Sequence, residues 1–180
     1  KFILCLNSCD PNENITTLYF DKECQLLDNV RDVIIKESPD IMLGYNIFGF
    51  DNKFMCKRAE LLKCQRFFYQ SKIISEYCSH GEMKLSSNAL GDNMLYVLHR
   101  TGGIIHDIFL TIKNEHKLSL YGLDPVCEHF LGMHKEDMPY SEVFAAWYSS
   151  GTSAQRSRVA LYCSKDSDLP IFLADHLKTY

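Results

Sequence analysis

The sequence predicts an α/β fold, in which helices cover both faces of a sheet. Residues 41–43 form a short apolar run between Pro39 and Gly44, which suits a strand buried on both faces. Apolar residues at helical spacing precede and follow this run. The first sixty residues therefore alternate between strand and helix patterns, in the order strand, strand, helix, strand, helix.

Composition indicates a single globular domain over residues 1–180. Hydrophobic residues make up 46% of the 180 residues, enough for a proper core. The net charge of −4 gives no global attraction to nucleic acid, so DNA binding would need local geometry and metal ions. No apolar run approaches the ~18 residues of a membrane span, so we expect no membrane partner. Because the chain opens on an apolar strand pattern, we expect a segment of a longer protein.

The eight cysteines could suggest a zinc site or disulfides. No C-x-x-C pair occurs, however, and several cysteines lie in apolar segments, where a free thiol behaves as a small hydrophobic group. We therefore expect reduced, structural cysteines and an intracellular protein.

The first elements are two predicted strands, residues 2–6 and 15–19, joined as a hairpin by a turn-rich segment. A helical stripe follows from Leu26 to Ile34. Just before it, Asp21 and Glu23 form an Asp-x-Glu pair, which a metal-dependent nuclease would carry on a strand. Around a helix such residues diverge by roughly 200°, and acidic residues are favoured in a first turn. We interpret this pair as helix-capping residues.

The stretch around Asp51 organises the rest of the chain. Gly44 and Gly49 bracket a turn after the strand at residues 41–43, and a helix over about 52–63 follows. Asp51 thus lies just past the carboxyl end of a strand, where open α/β sheets place their chemistry. Taken alone, it is better explained as a helix N-cap. A second carboxylate directed at the same place would favour catalysis.

The middle of the chain is less informative. Residues 65–92 are polar and irregular, which indicates a surface excursion. Residues 94–99 and 103–106 are predicted strands across a turn, and a helix begins at Asp107.

Three helices are predicted towards the end of the sequence. Asp124 as N-cap starts one that ends at Gly132, and Ser141 caps the next. The last begins near residue 154 and carries Tyr162 and Asp166, which share a face because they are four residues apart. Pro170 is expected to kink or interrupt it. In isolation, this pair would be a tyrosine at the core rim and an exposed acid.

Comparison with known families makes the interpretation of these segments more specific. Residues 45–51 match YNxxxFD and residues 162–166 match YxxxD, which resemble the second and third exonuclease motifs of family B DNA polymerases. Between them, residues 121–137 resemble the Y-x-L-N-x-V-x-x-x-F-L-G-x-x-K-E-D run of eukaryotic-type replicative polymerases, cellular or from large DNA viruses. The three blocks occur in order, and the similarity spans nearly the whole chain.

The resemblance implies a 3′–5′ proofreading exonuclease domain with a ribonuclease H-like fold of the DEDDy type, a mixed sheet flanked by helices. It implies that Asp51 and Asp166 bind two Mg²⁺ ions, for which Mn²⁺ could substitute, and that Tyr162 orients the attacking water. Asn46 would hydrogen-bond the terminal nucleotide and Phe50 would pack beside its base or sugar; the alternative for either residue is a role in the core or in the turn. The implied substrate is a single-stranded DNA 3′ end, and the implied partners are the palm, thumb and N-terminal domains of the same chain. The implied location is the nucleus or a viral replication site.

One departure from the family pattern is important. Relatives carry an Asp-x-Glu on their first strand, which we expect upstream of Lys1, so the isolated segment should have no more than trace nuclease activity. The alternatives are a catalytically silent scaffold that braces a polymerase, a standalone exonuclease, and an unrelated α/β binding module. The absence of a GxxxxGK phosphate loop disfavours the last.

Overall fold

A computed structural model describes residues 1–87, 91–134, 137–148 and 150–179. Its architecture is mixed α/β, as predicted. The strands in these ranges are β1 (Phe2–Leu6), β2 (Thr16–Phe20), β3 (Ile41–Gly44), β4 (His80–Ser87), β5 (Gly91–Leu98) and β6 (Ile104–Asp107). The helices are α1 (Glu23–Glu37), α2 (Asp51–Leu61), α3 (Ile108–Glu115), α4 (Leu123–Leu131), α5 (Tyr140–Trp147) and α6 (Ser153–Leu177), with a 3₁₀ turn at Gln65–Phe68.

Three strand pairs form the described sheets. β3 and β6 run parallel, with Gly44 opposite Asp107, and β4 and β5 are antiparallel. β1 and β2 also run parallel, with Phe2 opposite Thr16, so the predicted hairpin is wrong. A parallel pair needs a crossover connection. The connecting residues 7–15 form this crossover and contact the start of α6, where the Asp10 N–H donates a hydrogen bond to the Ser153 carbonyl.

The described part of residues 65–92, which leaves out 88–90, is only partly the polar surface excursion that its composition suggests. Phe67, Phe68 and Cys78 are fully or almost fully buried, in one core cluster with Leu27 and Leu98. The aromatic pair belongs to the 3₁₀ turn, which shows neither strand nor helix periodicity in the sequence. Residues 67–71 and Cys78 therefore belong to the core beside α1 and α2, whereas residues 72–75 between them are exposed.

The expectation that all eight cysteines are reduced is wrong for two of them. Cys24, at the start of α1, and Cys64, just after α2, form a disulfide. The other six are free, and five of these are buried: Cys5, Cys9, Cys56, Cys78 and Cys127, with Cys163 exposed. Helix packing brings the pair together across 40 residues of sequence, a distance at which no spacing rule applies.

The predicted caps are shifted by one or two residues. Asp51, Asp124 and Ser141 all lie inside the first turns of their helices, and the N-cap positions are taken by Phe50, Gly122 and Pro139. Asp21 is likewise no cap, since Lys22 holds that position, whereas Glu23 is a first-turn acid as interpreted and pairs with Arg58. Acidic residues are also stabilised within the first turn by the helix dipole, so the sequence signal allows either position.

α6 contributes to a second core cluster, separate from the one that contains Phe67 and Phe68. Its Leu173 and Ala174 pack with Ile108 of α3 and Val126 of α4. Pro170 is buried inside α6, and the helix continues to Leu177. Pro170 therefore does not interrupt the helix.

None of the helices in the described ranges combines the length and apolar character that a bilayer crossing requires.

Candidate active site

A tight turn between β3 and α2 carries the YNxxxFD motif. Asn46 adopts a left-handed conformation with φ of 58°, and its carbonyl accepts the N–H groups of Gly49 and Phe50, each at 3.1 Å. A Cβ on Gly49 would lie 2.3 Å from Asn46 Oδ1, so a larger residue there would displace the exposed Asn46 side chain from its present position. The backbone of Asn46 thus shapes this turn, while its side chain is exposed at the surface.

Asp107, at the end of β6, holds the same turn from the neighbouring strand. Its carboxylate accepts hydrogen bonds from the backbone N–H groups of Asn46 at 2.7 Å, Phe48 at 3.0 Å and Phe109 at 3.1 Å. The side chain is buried, and burial raises its pKa above the ordinary value while the three N–H groups oppose that shift. Sequence reasoning placed Asp107 only at a helix start. An aspartate directly after a predicted strand was the signal that could have identified it.

Asp51 begins α2 immediately after this turn. Asp51 is exposed at the surface, yet neighbouring protein atoms partly desolvate its carboxyl, which raises the pKa of that group, and only its own backbone N–H opposes the shift. The charge of Asp51 in turn contributes to the raised pKa of Asp107. The two carboxylates, near the carboxyl ends of the paired strands β3 and β6, are thus close enough to interact electrostatically.

Phe50 lies on the surface beside Asp51. It is 63% exposed and stacks on Phe54, which is 55% exposed, with ring centroids 5.9 Å apart and planes within 10° of parallel. Phe50 is therefore not a core residue, one of the two possibilities that its sequence left open.

Tyr162 and Asp166 lie in the middle of α6, four residues apart and both half-buried. α6 packs against β3 and α4. Burial raises the pKa of Cys127 in α4 to about 11, and the charges of Asp124 and Asp166 add to this shift. Asp166 is therefore close enough to influence α4.

Tyr45 links the turn after β3 to the segment that precedes α4. Its hydroxyl donates to the Tyr121 carbonyl at 2.6 Å. Burial raises the pKa of Tyr45, with further contributions from Cys127 and Asp107. The first residue of the YNxxxFD motif thus contacts the first residue of the run at residues 121–137.

The structure groups Asn46, Phe50, Asp51 and Asp107 around one turn. Across the described ranges, no cluster of three or more His, Cys, Asp and Glu side chains is arranged to hold a metal ion. Lys135 and Glu136, which belong to the run at residues 121–137, lie outside the described residues.

An apolar cavity of about 710 Å³ lies beside the region. All five residues of β1 line it, together with residues of α1, α2, α5 and α6. Because alternate residues of a strand face opposite sides, lining by consecutive residues means that the edge of β1 borders the cavity.

Comparison with known proteins gives one family. The profile described as DNA polymerase family B, exonuclease domain, matches residues 1–126. The chain is 34% identical over 175 residues to the DNA polymerase delta catalytic subunit of Oryza sativa subsp. japonica, covering 97% of this chain and 16% of that protein. It is 33% identical over 177 residues to the protein of the same name from Dictyostelium discoideum, covering 98% and 16%. The corresponding protein of Drosophila melanogaster is 33% identical over 175 residues, covering 97% and 16%. The chain therefore spans about a sixth of the length of these relatives.

Proposed function

Because this chain belongs to the exonuclease domain family of the family B DNA polymerases, we propose that it removes nucleotides from single-stranded DNA 3′ ends. In this proposal it is the proofreading domain of a replicative polymerase and has a ribonuclease H-like fold. The observation that carries the proposal is the YNxxxFD turn, which Asp107 holds at the carboxyl ends of β3 and β6. That turn presents Asp51 and Phe50 side by side at the surface.

Exonuclease domains of family B polymerases are metal-dependent in general. We propose Asp51 and Asp166 as ligands of two divalent ions, Mg²⁺ with Mn²⁺ as a substitute. Hard cations prefer carboxylate oxygens, and the raised pKa of Asp51 fits a group whose ionised form needs a cation. Two bound ions would stabilise negative charge on the attacking and leaving oxygens of the phosphodiester.

The remaining residues bind and orient. The Tyr162 hydroxyl would hold the attacking water by a hydrogen bond, which positions it for in-line attack. The Asn46 side chain would hydrogen-bond the terminal nucleotide, and the exposed ring of Phe50 would stack on its base. An unpaired 3′ end suits such a site because it reaches the site without melting a duplex.

Further acidic ligands would come from an Asp-x-Glu strand elsewhere in the longer protein. The open edge of β1 supports this, because β1 pairs only with β2 among the described strands. That edge borders an apolar cavity which an added strand could fill while forming backbone hydrogen bonds to β1. Such a strand would extend the small sheets into the mixed sheet expected of the family.

The likeness to polymerase catalytic subunits supports the proposed partners, the palm, thumb and N-terminal domains of the same chain. It also supports a location at sites of DNA replication, the nucleus or a viral replication site.

The test is 3′-end hydrolysis by the full-length polymerase on 3′-labelled single-stranded DNA with Mg²⁺. Asp51→Asn and Asp166→Asn should each reduce the rate at least about 100-fold, since loss of even an outer-shell partner costs 10–100-fold. Asp21→Asn, an exposed acid outside the site, is the matched control and should retain full activity. Wild-type rates in both site variants would refute the assignment. An inactive wild type would favour the silent scaffold, and residues 1–180 alone should show only trace activity.

A further inference from the structure

We propose that Lys113 is a further DNA-binding residue, whose ammonium group contacts a backbone phosphate within the last few nucleotides of the single-stranded 3′ end. This inference deepens the proposed function and rests on it. Lys113 lies on α3, outside the YNxxxFD and YxxxD motifs.

Asp107 places the start of α3 beside the turn that carries Asp51. One oxygen of its carboxylate, Oδ1, accepts both the Asn46 N–H at 2.7 Å and the Phe109 N–H at 3.1 Å. Because both groups donate to the same atom, the backbone of Phe109 lies next to that of Asn46. Lys113 follows Phe109 by four residues, so it lies one helical turn further along the same face of α3.

Two contacts hold the Lys113 side chain in place. Its Nζ lies 5.6 Å from the centroid of the Phe109 ring and donates to Asn93 Oδ1 at 3.4 Å. Asn93 belongs to β5, the strand whose Tyr96 N–H donates to the Phe48 carbonyl of the turn at 2.7 Å. Lys113 therefore lies between α3 and β5, and both of these elements are hydrogen-bonded to the turn.

The charge of Lys113 is not neutralised by an acid within the described part of the chain. The other cations on α2, α3, β4 and β5 all form ion pairs, Lys53 with Glu82, Lys57 with Glu60, Arg58 with Glu23 and Lys84 with Asp92. The two partners of Lys113, an amide oxygen and an aromatic ring, are uncharged. An ammonium group has three N–H donors, of which Asn93 takes one. Lys113 thus keeps its positive charge and has donors for an anion.

A DNA phosphate is the anion that fits this position. The chain has a net charge of −4 and Asp51 lies at the turn, so an approaching strand needs a local cation. A lysine ammonium is a point charge that binds phosphate, and phosphate contacts carry no sequence information. Lys113 should therefore increase the affinity for all sequences alike.

The experiment measures 3′-end hydrolysis by the full-length polymerase, because this reaction reports on the exonuclease site. Single-turnover rates at increasing enzyme concentration on 3′-labelled oligo(dT) give the maximal rate and the enzyme concentration for half-maximal rate, K1/2. Lys113→Met keeps an apolar stem over Phe109 and removes the charge. It should raise K1/2 roughly 5-fold at about 0.1 M salt and lower the slope of log K1/2 against log salt concentration by about 0.7, as expected for one phosphate contact on a single strand. The maximal rate should not change.

Two further variants are controls. Lys113→Arg keeps the charge and should retain the wild-type salt slope. Lys36→Met removes the same charge from a lysine that also lies over an aromatic ring, with Nζ 5.7 Å from the Phe2 centroid, and that forms no ion pair among the described residues. Because Lys36 is in the last turn of α1 and contacts β1, this variant should change neither K1/2 nor the slope.

Two outcomes would overturn the assignment of Lys113. Unchanged K1/2 and salt slope in Lys113→Met would show that Lys113 does not contact DNA. A lower maximal rate with the wild-type slope would show that Lys113 supports the turn instead. In both cases hydrolysis by the wild type still depends on Asp51, so the proposed function stands. A wild type that does not hydrolyse DNA would refute the proposed function, and this inference with it.

Discussion

The carboxylate of Asp107 accepts a hydrogen bond from the backbone N–H of Asn46 at 2.7 Å, which fastens the end of β6 to the turn that follows β3. The second carboxylate oxygen accepts the Phe48 N–H at 3.0 Å. The conformation of the turn, and with it the position of Asp51, thus depends on a residue 61 positions away from Asn46 in sequence.

Asp107→Ala should therefore destabilise the domain and misplace the turn. Hydrogen bonds to charged groups contribute about 1.5–3 kcal/mol, and the variant leaves three N–H groups without their acceptor. We expect the free energy of unfolding to fall by at least about 2 kcal/mol, with a reduced rate of 3′-end hydrolysis. Urea denaturation and the hydrolysis assay measure the two effects, and Asp21→Ala serves as the control. A variant as stable as the wild type would contradict the role given to Asp107.

Asp51→Asn should stabilise the metal-free protein at neutral pH. Because burial raises the folded-state pKa of Asp51 above its unfolded value, the folded protein binds the proton more tightly than the unfolded chain. The resulting cost to stability is absent below the unfolded pKa of ~3.9 and grows as pH rises through the folded pKa. The advantage of the variant should therefore increase between about pH 4 and pH 7. Thermal denaturation across that range, with metal chelated, measures it.

The same measurement with Mn²⁺ tests the metal site. Added Mn²⁺ should raise the melting temperature of the wild type more than that of Asp51→Asn, because only the wild type keeps the carboxylate. Equal shifts in both proteins would argue against Asp51 as a ligand.

Local patterns predicted much of this molecule and failed where distant residues decide. The stripe of α1 and the glycine after α4 are encoded within a few residues, and the structure confirms both. The apolar run at residues 41–43 does form β3, but it is not buried on both faces as expected, since Ile41 is exposed and β3 pairs only with β6 among the described strands. β1 pairs with β2 as expected, but the predicted antiparallel direction was wrong, because turn-rich residues 7–15 suggest a short return whereas they contact α6 instead.

The candidate site shows the same difference between what local sequence encodes and what distant residues decide. Motif spacing identified Asp51 as the residue after a turn, but nothing local showed that Asp107 would hold that turn. The grouping of Asp51, Tyr162 and Asp166 around shared metal ions remains a prediction, since it depends on packing between α2 and α6 and on ligands beyond the described residues.

Phe67→Ala should be severely destabilising, although its surrounding sequence looked like a polar excursion. Phe67 is fully buried in the cluster beside α1 and α2, and truncation of a buried phenylalanine costs about 3–5 kcal/mol. Urea denaturation measures the loss. Phe50→Ala, which truncates the same side chain at an exposed position, is the matched control and should cost less than about 1 kcal/mol. Similar losses in the two variants would mean that Phe67 is not part of the core.

Reduction of the Cys24–Cys64 disulfide should lower stability by about 2–4 kcal/mol, because the crosslink restricts the unfolded chain. For a domain of this size that corresponds to a fall in melting temperature of roughly 4–16 °C on adding reductant. The double variant Cys24→Ser, Cys64→Ser should be insensitive to reductant and should melt near the reduced wild type. Alkylation after unfolding without reductant provides the direct count, and six modified thiols are expected. Eight modified thiols would show that the pair is reduced in the protein as isolated, and the loss of stability on reduction would then be absent as well.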